Sequence, residues 1–100
     1  PSVRINSYAE VRDSILYEGV LIGRYARVRR AIIDKNVQIP EGMRIGYNVD
    51  EDRQHGLTIS ENGIVAVPKD ARFDAHSNVL KPHIGQREVR TNILRSGADL

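Results

Sequence analysis

The chain has no cysteine and no tryptophan, and only one phenylalanine and one methionine in 100 residues. The missing thiols exclude disulfide staples, cysteine-ligated zinc and thiol nucleophiles. Aromatic residues are scarce, with Tyr8, Tyr17, Tyr25, Tyr47 and Phe73 making up the set. Any core must therefore be filled by Ile, Val and Leu. No apolar run approaches the ~20 residues of a membrane span, and no secretory leader pattern is present. A soluble, cytoplasmic chain without a membrane partner is expected. The net charge of +2 is too small to argue for a nucleic-acid partner. Lysine is rare too: Lys35, Lys69 and Lys81 stand against twelve arginines, and arginine is the better fork for carboxylates and phosphates. The chain opens on Pro1 and its one methionine is Met43, which reads as a fragment or processed product of one small domain.

What is present is a repeat. Branched apolar residues stand at Ile5, Val11, Leu16, Ile22, Val28, Ile33, Ile39 and Ile45, at spacings of 6, 5, 6, 6, 5, 6 and 6. Two residues before each lies a second series: Val3, Ala9, Ser14, Val20, Ala26, Ala31, Val37 and Met43. Both series return every 17 residues. Alternation broken every five or six residues is no helical period. It suits a parallel β-helix of triangular section, with three short strands per coil and two inward side chains on each; hexapeptide repeats are the signature of such solenoids. Gly19 and Asn36 fall at equivalent corners, and both residue types tolerate positive φ.

A parallel stack sets equivalent residues about 4.8 Å apart, so the period predicts contacts. Glu10, Arg27 and Arg44 form one column, Asp13 and Arg30 a second, Ser7, Arg24 and Glu41 a third, and Glu18 and Lys35 a fourth. Tyr8 and Tyr25 stack on an outer face, as a packing ladder or as a platform for a flat ligand. Like charges meet at Arg12–Arg29 and Arg27–Arg44, where solvent, acids of a neighbouring subunit or a bound anion must relieve the repulsion.

The coils occupy residues 1–49 and end near Ile45-Gly46. Residues 50–69 form a polar connection, Asp50 to Gly56, and a hairpin, Leu57–Ser60 and Ile64–Val67, turned at Asn62-Gly63, that caps the solenoid or pairs with its edge. Residues 70–100 carry sparse apolar positions broken by Pro82, Gly85 and Gly97. A tail that is mobile, or ordered only against a neighbour, is expected there. Some two and a half coils are few for a solenoid, so a further coil or domain is expected to precede the open first edge.

The segments Ser2–Val11, Val20-Leu21-Ile22-Gly23, Arg29–Lys35, Ile39–Gly46 and Ser60–Lys69 resemble the carboxy-terminal coils of glucose-1-phosphate adenylyltransferase (ADP-glucose pyrophosphorylase). The resemblance runs from Ser2 to about Asp70, and Ile-Asp-Lys, Ile-Pro-Glu-Gly-Met and Gly-Ile-Val in that order are its most specific parts. It implies a left-handed parallel β-helix. It also implies a parent enzyme, a nucleotidyltransferase that makes ADP-glucose from ATP and glucose 1-phosphate and releases pyrophosphate, in glycogen or starch synthesis. Mg²⁺ and ATP belong to that family's amino-terminal catalytic domain. This segment is expected to be inactive alone, with no cofactor of its own. Its implied partners are that catalytic domain, further subunits of a homo-oligomer (a tetramer in the family) and a phosphorylated metabolite effector.

The same resemblance implies an allosteric anion site at Lys35, which follows Ile-Asp, and at Lys69, which lies two residues after the Ile-Val-x-Val strand. Some relatives carry an arginine four residues after the second position. Phe73 stands there instead, and Arg72 beside it is the substitute. Read without the resemblance, Lys35 is an ion-pair partner of Glu18 and Lys69 an ordinary solvated lysine. Two other readings are open. A purely structural oligomerisation module would place Lys35 and Lys69 far apart, or pair both with acids. A hexapeptide acyltransferase or β-helix carbonic anhydrase needs histidines on the coils. Residues 1–54 hold none, and His55, His76 and His83 lack ligand spacing.

Overall fold

The structure is a computed structural model and describes residues 2–82. The inward alternation produces short strands in the expected order. They are β1 (Arg4–Ile5), β2 (Glu10–Arg12), β3 (Ile15–Leu16), β4 (Leu21–Ile22), β5 (Arg27–Arg29), β6 (Ala31–Ile33), β7 (Gln38–Ile39) and β8 (Arg44–Ile45). Helix α1 (Val49–Gln54) and strands β9 (Thr58–Ile59) and β10 (Val65–Val67) follow. Three sheets form the faces of a prism, in the orders β1-β4-β7, β2-β5-β8 and β3-β6-β10-β9. Every pairing is parallel except that of β9 with β10. Arg4 pairs with Leu21 and Leu21 with Gln38, each a 17-residue step. The chain is thus a hexapeptide-repeat β-helix.

The corners turn through left-handed residues in columns. Tyr8 and Tyr25 both have φ 63, and Gly42 below them has φ 74. Asp13 and Arg30, at φ 44 and 49, make the single-residue corner between the second and third strands of a coil, which trims the repeat from 18 to 17. The third corner runs Gly19, Asn36 and Asp70, at φ 78, 59 and 60.

Asp70 belongs to that column because the third coil closes in an unexpected way. After β8 the chain leaves the coil at Gly46, makes α1 and β9, and returns as β10 beside β6. Val65 pairs with Ala31 and Val67 with Ile33, twice the repeat period along the chain. Of the two expectations for the hairpin, a cap or pairing with the solenoid's edge, the second is what the structure has, and β10 supplies the third face of the third coil. Gly46 permits the departure: its φ is +89, and a Cβ there would overlap the Arg29 carbonyl oxygen. The polar connection from Asp50 is helical rather than irregular. Asn48 caps α1, its Oδ1 accepting from Glu51 N at 3.0 Å, and acids fill the first turn where the helix dipole favours them.

The core is the second coil and the part of the third beneath it. Val20, Ile22, Ala26, Val28, Ala31, Ile33, Val37, Ile39, Met43 and Ile45 are all buried. Their equivalents in the first coil are less covered: Ala9, Val11 and Leu16 are half-buried, while Ile5 is 49% exposed and Val3 40%. Residues 70–82 depart from the expected mobile tail. Ala71 is buried, Phe73 and Leu80 pack on the core and bridge to each other, and Leu80 N donates to His55 O at 2.8 Å. These few contacts outweigh the segment's weak periodicity. The expectation for 83–100 lies outside the described residues.

Burial sets a gradient of stability along the prism. Ile33→Ala, in the closed middle, is expected to lower stability by about 2–5 kcal/mol. Ile5→Ala, at the open edge, should cost well under half as much. Gly46→Ala should cost at least about 1–3 kcal/mol through backbone strain alone. Urea unfolding of the three variants checks the order.

Candidate functional site

The parallel pairing of β10 with β6 continues beyond the strands. Asp34 N donates to Val67 O at 3.0 Å and Asp70 N to Lys35 O at 2.9 Å. The segment 68–70 therefore lies alongside 34–36, and Lys69 occupies the stacked position next to Lys35. Glu18, Lys35 and Lys69 form a column with two cations at its lower end. Both lysines are exposed, and among the described residues no ion pair includes either one. The expected pairing of Lys35 with Glu18 is not made.

Arg72 reaches the same corner from below. Its Nη1 lies 3.4 Å from Asn36 O, 3.3 Å from Asp70 O and 3.4 Å from Ala71 O. It clamps the returning segment onto the second coil, while Nε and Nη2 make no hydrogen bond among the described residues. Phe73, at the position where the resemblance implies an arginine, is half-buried against the core.

A cleft of about 420 Å³ opens beside this corner, lined by Lys69, Asp70, Arg72 and Lys81 over an apolar floor that includes Leu80 and Pro68. Lys35 does not line it. Lys81 joins because its backbone N donates to Arg72 O at 2.7 Å. Nothing in the repeat marks Lys81, since its place depends on the fold-back of 70–82. A turn stabilises that fold-back: Asp74 Oδ2 accepts from His76 N and Ser77 N at 2.9 Å each. The Ser77 amide, then the His76 amide and the Ser77 hydroxyl, hold the Asp74 carboxyl below its ordinary pKa.

The charges on the β2-β5-β8 face find partners within the chain. Arg27 lies 3.8 Å from Glu10, Arg12 3.9 Å from the same carboxylate, and Arg44 3.2 Å from Glu51. Arg29 stacks on Tyr47 at 4.3 Å and donates from Nε to Gly46 O at 2.9 Å. The like-charge columns are thus relieved by in-chain acids and one aromatic ring. Tyr8 and Tyr25 form the expected ladder, with centroids 5.1 Å apart and planes within 9°. Gly42 ends it.

Histidine chemistry finds no footing on the described coils. His55 caps the end of α1 and His76 sits in the exposed turn; His83 lies outside the described residues. Among the described residues no group of three His, Cys, Asp or Glu could hold a metal ion. No described helix is long and apolar enough to cross a membrane.

Asp52 is the one buried charged side chain among the described residues, 2% exposed. Both its carboxylate oxygens face Gly46 N, at 3.1 and 3.2 Å, and so fasten α1 to the coil's exit. Burial pushes its pKa up, the Gly46 amide pulls it down, and Glu51 and His55 add smaller opposing effects.

A triangular prism of parallel coils with this 17-residue step is a hexapeptide-repeat β-helix domain. A family model described as GlmU-like, C-terminal hexapeptide matches residues 1–67, and the chain belongs to that family. Its relatives include glucose-1-phosphate adenylyltransferase of Trichlorobacter lovleyi, 53% identical over 72 residues, which is 72% of this chain and 17% of the relative. The enzyme of that name from Geobacter metallireducens is 55% identical over 67 residues, 67% of this chain and 16% of the relative. That of Rhodopirellula baltica is 54% identical over 66 residues, 66% and 15%. The chain therefore spans about a sixth of the length of the curated relatives it matches.

The raised pKa of Asp52 gives a signed expectation. A carboxyl with a higher pKa folded than unfolded adds stability below its unfolded pKa, and that increment is lost as pH rises through the folded value. Relative to Asp52→Asn, which keeps an oxygen for Gly46 N, the parent chain should lose stability from pH 4 towards neutrality. Thermal melts of the two across that range check it; parallel curves would remove the effect.

Proposed function

We propose that this chain is the carboxy-terminal assembly and allosteric domain of an ADP-glucose-forming nucleotidyltransferase in the cytoplasm. The parent would convert ATP and glucose 1-phosphate to ADP-glucose and pyrophosphate for glycogen or starch synthesis. The observation that carries the regulatory part is the stacking of Lys35 and Lys69 with no acid paired to either among the described residues, Arg72 at the same corner. Two ammonium groups on one edge, with a guanidinium beside them, suit a phosphate group through charge-assisted hydrogen bonds.

No described cluster here fits Mg²⁺, so the metal and ATP belong in this reading to the portion of the relatives that the chain does not span. The chain's own residues do the remaining work. Lys35, from the second coil, and Lys69, from the returning strand, grip the effector's phosphate from two segments that only the third coil's closure brings together. Arg72 holds those segments in register, and Lys81 extends the positive wall of the cleft. Anion binding then favours the arrangement in which the corner is closed, and the catalytic domain resting on the solenoid responds to that bias. Couplings of this kind are typically worth ~1–3 kcal/mol.

A purely structural module stands less well, because it calls for Lys35 and Lys69 to be distant or neutralised by acids. In the complete enzyme carrying this segment, Lys35→Ala and Lys69→Ala should each raise the activator concentration for half-activation about tenfold. Unactivated turnover should stay near the parent value. Activation curves that coincide with the parent's would sink the allosteric assignment and leave the structural module.

A further inference from the structure

The three outer faces of the prism carry different chemistry. On β2-β5-β8 the outward residues of the paired strands are Glu10, Arg12, Arg27, Arg29 and Arg44. On β1-β4-β7 they are Arg4, Leu21 and Gln38. On β3-β6-β10 they are Ile15, Ile32 and Ala66, stacked in register. Ile15 is 53% exposed and Ile32 38%, and with Ile64 they line a shallow groove on this face. Tyr17, 43% exposed, continues the outward row of β3.

Charge flanks this stripe in a pattern that changes sign along the solenoid axis. On one rim Asp13 lies in the first coil and Arg30 in the second; on the other Glu18 lies in the first and Lys35 in the second. These neighbours sit in shared columns, yet neither column closes as an ion pair among the described residues, and the one in-chain bond of these side chains is Arg30 Nη2 to Asn62 O, which leaves the rest of that guanidinium for a carboxylate. The β2-β5-β8 face behaves differently, since its charges are paired within the chain.

We infer that the β3-β6-β10 face binds a second copy of this chain, face to face, about a two-fold axis parallel to the strands and midway between the first and second coils. Such an axis reverses the solenoid direction and keeps the strand direction. Ile15 of one copy then meets Ile32 of the other, and Ile32 meets Ile15. Asp13 comes opposite Arg30 on one rim and Glu18 opposite Lys35 on the other, giving four intermolecular pairs. Tyr17 falls opposite Asp34, a phenol donor against a carboxylate. An axis placed on the second coil itself would set Arg30 against Arg30 and Lys35 against Lys35, so the charges select one register. An interface of this kind is isologous and closes at two copies. The inference rests on the assembly role proposed above and names its face and register.

Sedimentation of the full 100-residue chain tests it. The parent should be dimeric at concentrations on the order of 100 µM, as suits a small interface. It should dissociate as salt rises. Ile32→Glu should give a monomer with an unchanged circular-dichroism spectrum. Asp13→Arg and Arg30→Asp should each weaken self-association about tenfold or more, since each sets like charges opposite one another. Each substitution copies the residue found one coil away at the same backbone geometry; Arg30→Asp also removes the bond to Asn62 O, so its circular-dichroism spectrum is to match the parent's as well. An equimolar mixture of these two variants should restore the dimer. In the mixed pair the two introduced side chains, of opposite charge, face each other, while the native Asp13 and Arg30 still meet on the other side. A monomeric parent, a dimer that survives Ile32→Glu, or a mixture no tighter than its components would each overturn the inference. None of these variants touches Lys35 or Lys69, so failure of the dimer and failure of the effector site are read on different substitutions.

Discussion

Parallel backbone hydrogen bonding between successive coils is the constraint on which everything else here depends. Leu21 N reaches Val37 O at 2.9 Å as Arg4 N reaches Val20 O at 3.0 Å, and each such bond locks one coil over the next at a fixed offset. Once that offset is set, side-chain neighbours are a matter of arithmetic. A residue has its equivalent above and below it, and every column repeats one physical problem at each level. At the corners the problem is a positive φ, met by Gly19, Asn36 and Asp70 in turn, which are residue types that bear it well. Tyr8, Tyr25 and Arg30 bear the same geometry less readily, and they are held there by the strands on either side.

That arithmetic explains what can be read from the sequence and what cannot. The inward series, the Glu10–Arg27–Arg44 column and the tyrosine ladder depend only on the period, so they are legible residue by residue. The closure of the third coil is not. Val65 and Val67 stand two periods from Ala31 and Ile33, with a helix and a strand inserted between, and a search for single periods passes over them. Helix α1 leaves a local trace in Asn48 and the acids that follow it, but six helical residues with no apolar stripe resemble a polar loop. The order of residues 70–82 leaves less still. It rests on Ala71, Phe73 and Leu80 meeting a surface that exists only after β10 has docked.

The candidate site shows the same division. Lys35 and Lys69 are marked through family resemblance, and the repeat alone would join Lys35 to Glu18. The structure brings the two lysines into one column because β10 substitutes for the missing third strand. Lys69 is thereby the next-coil equivalent of Lys35, though far from it in sequence. Arg72 engages three carbonyls of the segments it joins, so its first contribution is to hold the corner together. Lys81 has no mark in the sequence, since its position follows from Arg72 and from the turn organised by Asp74.

Lys35 belongs to two sets of contacts, and this links the proposed effector site to the proposed subunit face. On one side it stacks with Lys69, where two like charges attract an anion. On the other it lies at the rim that, in the proposed dimer, brings Glu18 of a second copy within reach. An anion held by Lys35 reduces the positive charge that Glu18 meets, while Glu18 reduces the charge that the anion meets. Binding free energies are reciprocal, so whatever weakening the anion imposes on the dimer, the dimer imposes equally on the anion. Lys69 has no opposite carboxylate in that register and is left to the anion alone. If both proposals hold, adjacent positions in one column divide the work: Lys69 serves the ligand in either state, and Lys35 carries the coupling between ligand and assembly.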